Sequence, residues 1–214
     1  MTRAVVFDLD GVIVDSEQVW DDVRERYTRE VGGRYSPQAA HDMMGMSSHE
    51  WSRYMADRLG VPGTPAEINA EVVRRMLARY GEAPPLLPGA VEAVRRVAAR
   101  FPLAIASSSN PELISVVVAA ARLDDVFPVR VSSQEVARGK PSPDVYLEAA
   151  ARLRVEPSQC GAVEDSHNGI RSAKAAGMFV VAVPNPHYPP DAEAMAQADV
   201  VLGSIAELEP SLFA

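Results

Sequence analysis

The spacing of apolar positions changes twice along the chain. Ala4 to Phe7 is a short unbroken apolar run that predicts a buried strand, and Asp8, Asp10 and Gly11 follow it at once. From Ser16 to about Tyr80 the spacing is helical. Val19, Trp20, Val23 and Tyr27 form one stripe, which Gly32-Gly33 stops. Ser36-Pro37 opens a second helix, with Ser36 as N-cap and Pro37 in the first turn. Ser47 with Glu50 makes a capping box ahead of Trp51, Tyr54, Met55 and Leu59. Thr64-Pro65-Ala66-Glu67 makes another ahead of Ile68, Val72, Met76 and Tyr80. Beyond Pro84-Pro85, strands return and alternate with helices. Strands are predicted at Leu103–Ala106, around Pro128–Val131, and at Cys160–Val163, Phe179–Val183 and Asp199–Leu202. Helices are predicted from about Gly89 to Arg100, from Pro111, from Ser142-Pro143, and from Ser166 to Gly177. A last capping box stands at Ser204 and Glu207, and residues 187–190 read as a loop.

Alternating strand and helix predicts a parallel sheet covered by helices on both faces. The first strand belongs to that sheet by character, so the helical stretch is an insertion after it. The expected domains are an α/β core of residues 1–16 and 84–214, and an inserted α-helical cap of residues 17–83. A chain of 214 residues is long enough to bury such a core.

Composition narrows the function classes. A net charge of -8 argues against broad binding to nucleic acid or an anionic membrane surface, which need a basic face. It leaves room for a phosphate ligand, since one local cation outweighs the mean field. The single cysteine, Cys160, excludes an internal disulfide and a thiolate metal cluster, and its place on a strand predicts a buried thiol. The N-terminal apolar run is too short for a secretory signal and is interrupted by Asp8; no stretch is long enough to cross a bilayer. A cytoplasmic protein is expected, as a monomer or else a dimer.

Ligands of open parallel sheets sit outside the carboxyl ends of the strands. The first strand delivers Asp8 and Asp10 there. The second delivers Ser107, Ser108 and Ser109, then Asn110-Pro111 opening a helix. Gly139-Lys140-Pro141 follows the third, and the fourth ends in Glu164-Asp165. Each alone has an ordinary reading: Asp and Gly as a turn, the serines as a cap that Asn110 with Pro111 already provides, Lys140 as a surface lysine. Together they make chemical sense. Hydroxyls and free N–H groups at a helix start hold an anion, and Lys140 adds a fixed positive charge. Converging carboxylates without His or Cys form a hard oxygen site suited to Mg²⁺ rather than Zn²⁺. A phosphate monoester is the substrate that needs both halves, with one carboxylate able to attack phosphorus and another to handle the leaving-group proton.

These stretches, Asp8–Ser16, Ala106–Asn110, Gly139–Pro141, and Glu164–Ser166 with Gly169, resemble the four motifs of the haloacid-dehalogenase-like superfamily. The resemblance spans essentially the whole chain and is to its β-phosphoglucomutase-like phosphatases with a helical cap on a Rossmann-like core. It implies Asp8 as nucleophile through an aspartyl-phosphate and Asp10 as general acid and base. It implies Mg²⁺ on Asp8, the Asp10 backbone carbonyl and Asp165, with Glu164 as ligand or neighbour of the metal. Ser107, the Ser108 backbone and Lys140 would hold the phosphate. Haloacid dehalogenases proper lack the second aspartate, so Asp10 argues against that chemistry. By the same resemblance, mutases carry a histidine early in the first cap helix and an arginine at the start of the second cap region. Those places fall near Trp20 and near Ser48-His49, which lack the expected residues. A phosphatase of a small phosphorylated metabolite, such as a sugar phosphate, is therefore expected ahead of a phosphomutase. A silent binding or regulatory protein is a remoter alternative. Trp20 either faces the substrate or packs inside the cap; His49 and Asn110 are further candidate substrate contacts. Hinge closure of the cap is expected near Ser16 and Pro84.

Overall fold

The computed structural model describes residues 1–43, 46–185 and 189–213. Its centre is a six-stranded, all-parallel sheet built from β1 (Ala4–Phe7), β2 (Leu103–Ser107), β3 (Val129–Ser132), β4 (Cys160–Glu164), β5 (Phe179–Ala182) and β6 (Val200–Val201). The order across the sheet is β3-β2-β1-β4-β5-β6. β1 is therefore central, with Phe7 in register with Ile105 on one side and with Val163 on the other. Every predicted strand is present; the last is shorter than expected, two residues in place of four.

Alternation along the strands separates two faces of unequal bulk. One face carries Val5, Phe7, Ile105, Val163 and Val181 and is covered by α5 (Ala90–Ala98), α6 (Pro111–Ala120), Phe127 and Phe213. The other carries Ala4, Val6, Ala104, Ala106, Ala162 and Ala182. Alanines there let α7 (Asp144–Leu153) lie directly across β1, β2 and β3, and α8 (His167–Ala175) against β4 and β5. Cys160 lies on this face, buried, and burial pushes its thiol up to about 11.

The helical insertion consists of α1 (Glu17–Glu30), α2 (Pro37–Met43), α3 (Ser48–Asp57) and α4 (Pro65–Glu82). Its local signals act as read. Ser36 Oγ accepts from Ala39 N at 3.2 Å, the Glu50 carboxylate accepts from Ser47 N at 2.8 Å, and the Glu67 carboxylate accepts from Thr64 N at 2.8 Å. The chain enters and leaves the insertion side by side: Asp15 N donates to Pro85 O at 2.8 Å and Leu87 N to Ile13 O at 2.9 Å. The insertion packs on the core through α4 against α6. Gln134 Nε2 donates to Ser48 Oγ at 2.9 Å, and Asn110 Nδ2 donates to Asn69 Oδ1 at 3.4 Å.

Three local expectations are revised. Asn110 occupies the N-cap position of α6, but its side chain caps nothing and reaches the insertion instead. Ser204 and Glu207 frame only a 3-10 turn, Ile205–Glu207. A short helix, α9 (Ala192–Met195), stands where none was read; Asp191 caps it by accepting from Ala194 N at 2.8 Å. Of the loop expected at 187–190, His187 and Tyr188 lie outside the described residues.

Candidate active site

The carboxyl ends of β1, β2 and β4 open into one cavity, roofed by α1, α3 and the end of α2. Asp8 stands just beyond β1, its N–H donating to Val163 O at 3.0 Å, so the neighbouring strand fixes its backbone. Its side chain is almost fully buried. Lys140 Nζ lies 2.9 Å from Asp8 Oδ1 and 2.6 Å from Glu164 Oε1. Burial pushes the Asp8 carboxyl up to about 8, against the pull of the Lys140 charge, with Glu164 and Asp10 adding to the rise. Burial works to discharge Lys140, but the carboxylates of Asp8 and Glu164 outweigh it and raise its pKa.

Asp10 turns to a different set of partners. Its Oδ1 accepts from Ser16 Oγ and, at 3.3 Å, from Trp20 Nε1. Its Oδ2 accepts from Ser109 Oγ at 2.7 Å and Ser107 Oγ at 3.3 Å. Asp8 and Asp10 thus line one cavity, but each is tied by its own donors. Gly11 follows with φ of 73°, and a Cβ placed there would come within 1.8 Å of the Asp165 carboxylate. The missing side chain is what admits Asp165 beside the first strand.

Glu164 is completely buried and fully engaged by protein donors. Oε1 accepts from Lys140 Nζ and, at 2.6 Å, from Tyr146 OH; Oε2 accepts from Asp165 N at 3.1 Å, Ser166 N at 3.3 Å and Ser166 Oγ at 3.2 Å. A Cβ on Gly169 would fall 1.9 Å from this carboxylate, so the glycine makes its room. These bonds suit Glu164 to orienting Lys140 and the turn that carries Asp165. Asp165 is buried as well; burial first, then Glu164 and Asp8, push its carboxyl well above the ordinary range.

The donor set fits a hard divalent cation. Oxygens of Asp8, Glu164 and Asp165 lie within 4.8 Å of one another, no nitrogen or sulfur ligand is among them, and Asp8 Oδ1 is buried without an aligned hydrogen-bond donor among the described residues. Two neighbouring carboxyls pushed upward by burial are what a cation placed between them would relieve.

Of the other residues singled out in the sequence, Ser108 lines the cavity, whereas Ser107 is fully buried and spends its hydroxyl on Asp10 and on Ser109 N at 3.0 Å. The serines are thus not spare hydroxyls at a helix start but largely Asp10 ligands. Trp20 packs against Trp51, ring centroids 5.9 Å apart, and also lines the cavity. His49 is exposed on a separate groove, and Asn110 is buried against Asn69; neither lines the cavity. Ser16, Glu17, Arg24 and Tyr146 also shape the site, and of these only Ser16 lies in one of the motifs. Arg24 lies one helical turn after Trp20, and that spacing is the signal that could have found it. Its guanidinium sits over both indoles, 4.7 Å from the Trp20 centroid and 5.0 Å from the Trp51 centroid.

Residues 2–177 match the family model of haloacid dehalogenase-like hydrolases. The chain is 33% identical to a probable pseudouridine-5'-phosphatase of Drosophila melanogaster, over 97% of this chain and 92% of that one. It is 34% identical to hexitol phosphatase B of Escherichia coli K12, over 96% and 93%. The crystal structure of CbbY from Rhodobacter sphaeroides in complex with phosphate superposes with a TM-score of 0.84 at 28% identity, covering 97% of this chain and 96% of that one.

Proposed function

The chain belongs to the haloacid dehalogenase-like hydrolase family, and from that premise we propose that it is a Mg²⁺-dependent phosphatase of a small phosphorylated metabolite, a sugar phosphate or a close relative. The observation that carries this reading is the buried Asp8–Lys140 contact beside Asp165 in one cavity: a nucleophile, a fixed cation and an oxygen site for a metal within reach of one phosphoryl group. The named relatives, both phosphatases, support the same class.

In this reading a carboxylate oxygen of Asp8 attacks phosphorus, the P–O bond to the alcohol breaks, and Asp10 gives the leaving oxygen its proton. Asp10 then takes a proton from water, whose oxygen attacks the phosphorus of the aspartyl-phosphate, releasing phosphate and restoring Asp8. Lys140 and Ser108 hold the phosphoryl oxygens, and Ser107 and Ser109 fix the aim of Asp10. Asp8, the Asp10 backbone carbonyl and Asp165 would hold Mg²⁺, with Glu164 orienting its neighbours. The ion would neutralise charge on the phosphoryl group and the carboxylates.

The helical insertion acts as a cap in this scheme. The cavity measures about 50 Å³, far below the roughly 300–1,000 Å³ of ordinary ligand pockets. The cap must therefore swing away to admit substrate, about the paired segments at Ile13–Asp15 and Pro85–Leu87. The composition suits a cytoplasmic enzyme.

The test is phosphate release from a panel of phosphorylated metabolites, with and without Mg²⁺, by wild type and Asp8→Asn. Mg²⁺-dependent release that vanishes in the variant is expected. Release that persists in Asp8→Asn would remove the nucleophile assignment. Conversion of glucose 1-phosphate to glucose 6-phosphate would replace the reading with a phosphomutase.

A further inference from the structure

Of the charged groups lining the cavity, the scheme above leaves Arg24 and Glu17 without work, and the surroundings of Arg24 are unusual for an arginine. It is 7% exposed. Its Nε has no hydrogen-bond partner, and no carboxylate stands in ion-pair contact with it, among the described residues. Buried guanidinium groups ordinarily pair with an anion, because leaving a charge out of water without a partner costs several kcal/mol. Here the two faces nearest it are indoles, which stabilise a cation by far less than a carboxylate does. Burial accordingly holds its pKa below the ordinary arginine value. Glu17 also lines the cavity, outside ion-pair contact, and with Asp21 and Asp10 it draws on the Arg24 charge only from longer range.

The position says which part of a ligand would meet it. The ring of Trp20 separates Arg24 from the phosphoryl centre: its Nε1 edge is on Asp10 and its face is under the guanidinium. Asp10 is the residue that faces the leaving oxygen in the proposed chemistry. Arg24 therefore stands on the Asp10, leaving-group side of the cavity, and makes no contact with Asp8 or Lys140 among the described residues.

We infer that Arg24 is the specificity-determining residue of this enzyme and binds a second anionic group, carboxylate or phosphate, on the alcohol part of the substrate. The inference rests on the phosphatase reading and narrows its substrate class from sugar phosphates in general to phosphorylated sugar acids or bisphosphorylated sugars. A guanidinium already packed over two neighbouring indoles is held in place before the ligand arrives, so little ordering is required when the anion binds.

The experiment measures kcat/KM with Mg²⁺ for glucose 6-phosphate, 6-phosphogluconate and glucose 1,6-bisphosphate, in wild type, Arg24→Met and Arg24→Lys, with p-nitrophenyl phosphate as a generic ester. In wild type, 6-phosphogluconate or glucose 1,6-bisphosphate should exceed glucose 6-phosphate by about ten- to hundredfold, the range of one charge-assisted hydrogen-bond set. Preference for the first identifies a carboxylate, for the second a phosphate. In Arg24→Met the ratio should fall towards one, and Arg24→Lys should keep part of it. A wild-type ratio at or below one for both, or a ratio unchanged in Arg24→Met, overturns the inference while release from p-nitrophenyl phosphate leaves the phosphatase reading standing. No release from any ester overturns both.

A second readout needs no turnover and no variant. The chain has two tryptophans, Trp20 and Trp51, and Arg24 stacks on both. Titrating wild type in a chelator with glucose 6-phosphate, 6-phosphogluconate and glucose 1,6-bisphosphate should change the tryptophan emission saturably, with half-saturation about ten- to hundredfold lower for whichever carries the matching second anion. Equal half-saturation for all three would overturn the inference even if Arg24→Met failed to fold.

Discussion

On the strand-end side of the cavity, Lys140, Asp10 and Glu164 are all partnered. Lys140 touches Asp8 and Glu164, Asp10 accepts from three hydroxyls and an indole N–H, and Glu164 accepts from five donors. On the helical side, Arg24 is stacked on two indoles and has no acceptor among the described residues. A network whose members satisfy one another is rigid and presents the same geometry to any phosphoryl group. A buried charge left open instead awaits a partner that the ligand must bring. The floor of the cavity is thus built for a reaction and its roof for a choice of substrate.

That division is broken or sharpened by a graded set of changes. The largest effect belongs to Asp8→Asn, which removes the nucleophile; phosphate release should fall about 10⁴-fold or more, measured in single turnover, with little change in the fold. Removing the metal comes next, read as stability against pH. Asp8 holds a proton in the folded, metal-free protein up to about 8, whereas the unfolded chain loses it near 3.8. Between those values the folded state binds more protons than the unfolded one, so stability falls as pH rises through that window. Denaturant midpoints in a chelator should therefore drop from pH 4 to pH 8, and added Mg²⁺ should restore the loss near pH 8. A midpoint that rises over this range would contradict the arrangement of carboxylates.

Gly169→Ala should follow, since its Cβ would meet the Glu164 carboxylate at 1.9 Å. A stability loss of about 2–3 kcal/mol, together with lost turnover, is expected in a urea titration and a parallel assay. Tyr146→Phe takes one donor from Glu164 Oε1 and leaves Lys140 in place; about 1–2 kcal/mol of stability should go with it. The smallest change is Trp20→Phe, which keeps an aromatic face under Arg24 but loses the bond to Asp10. It should lower kcat by roughly two- to tenfold while leaving the preference for a second anion intact. Loss of that preference with kcat preserved would place Trp20 with the roof rather than the floor.

Much of the floor could be read along the chain. Asp8, Asp10, Ser108, Lys140 and Asp165 each follow a recognisable apolar run or a turn, and a parallel sheet brings all such ends to one edge. Glu164 was legible as a strand end but not as the hub of a five-donor network. Its fifth partner, Tyr146, comes from α7, and α7 lies close because that face of the sheet is mostly alanine. Gly169 was visible as part of a motif, but its reason, room for Glu164, is a distance between elements. The roof was harder. In the sequence Arg24 sits between Val23 and Glu25 on an amphipathic helix and reads as an ordinary charged position. His49 looked closer to the substrate than the fold puts it, because the rotation of α3 about its own axis aims Trp51 inward and His49 outward.

The order of strands and helices, the insertion after the first strand and the residues at the strand ends are determined by the sequence itself. Local periodicity and capping specify the elements, and parallel pairing leaves the strand ends one common edge. Which donor each carboxylate takes, and which side chain of the roof reaches the cavity, was decided only by tertiary packing. Those choices depend on side-chain volume between layers and on the rotation of each helix, and neither quantity is written in any single segment of the chain.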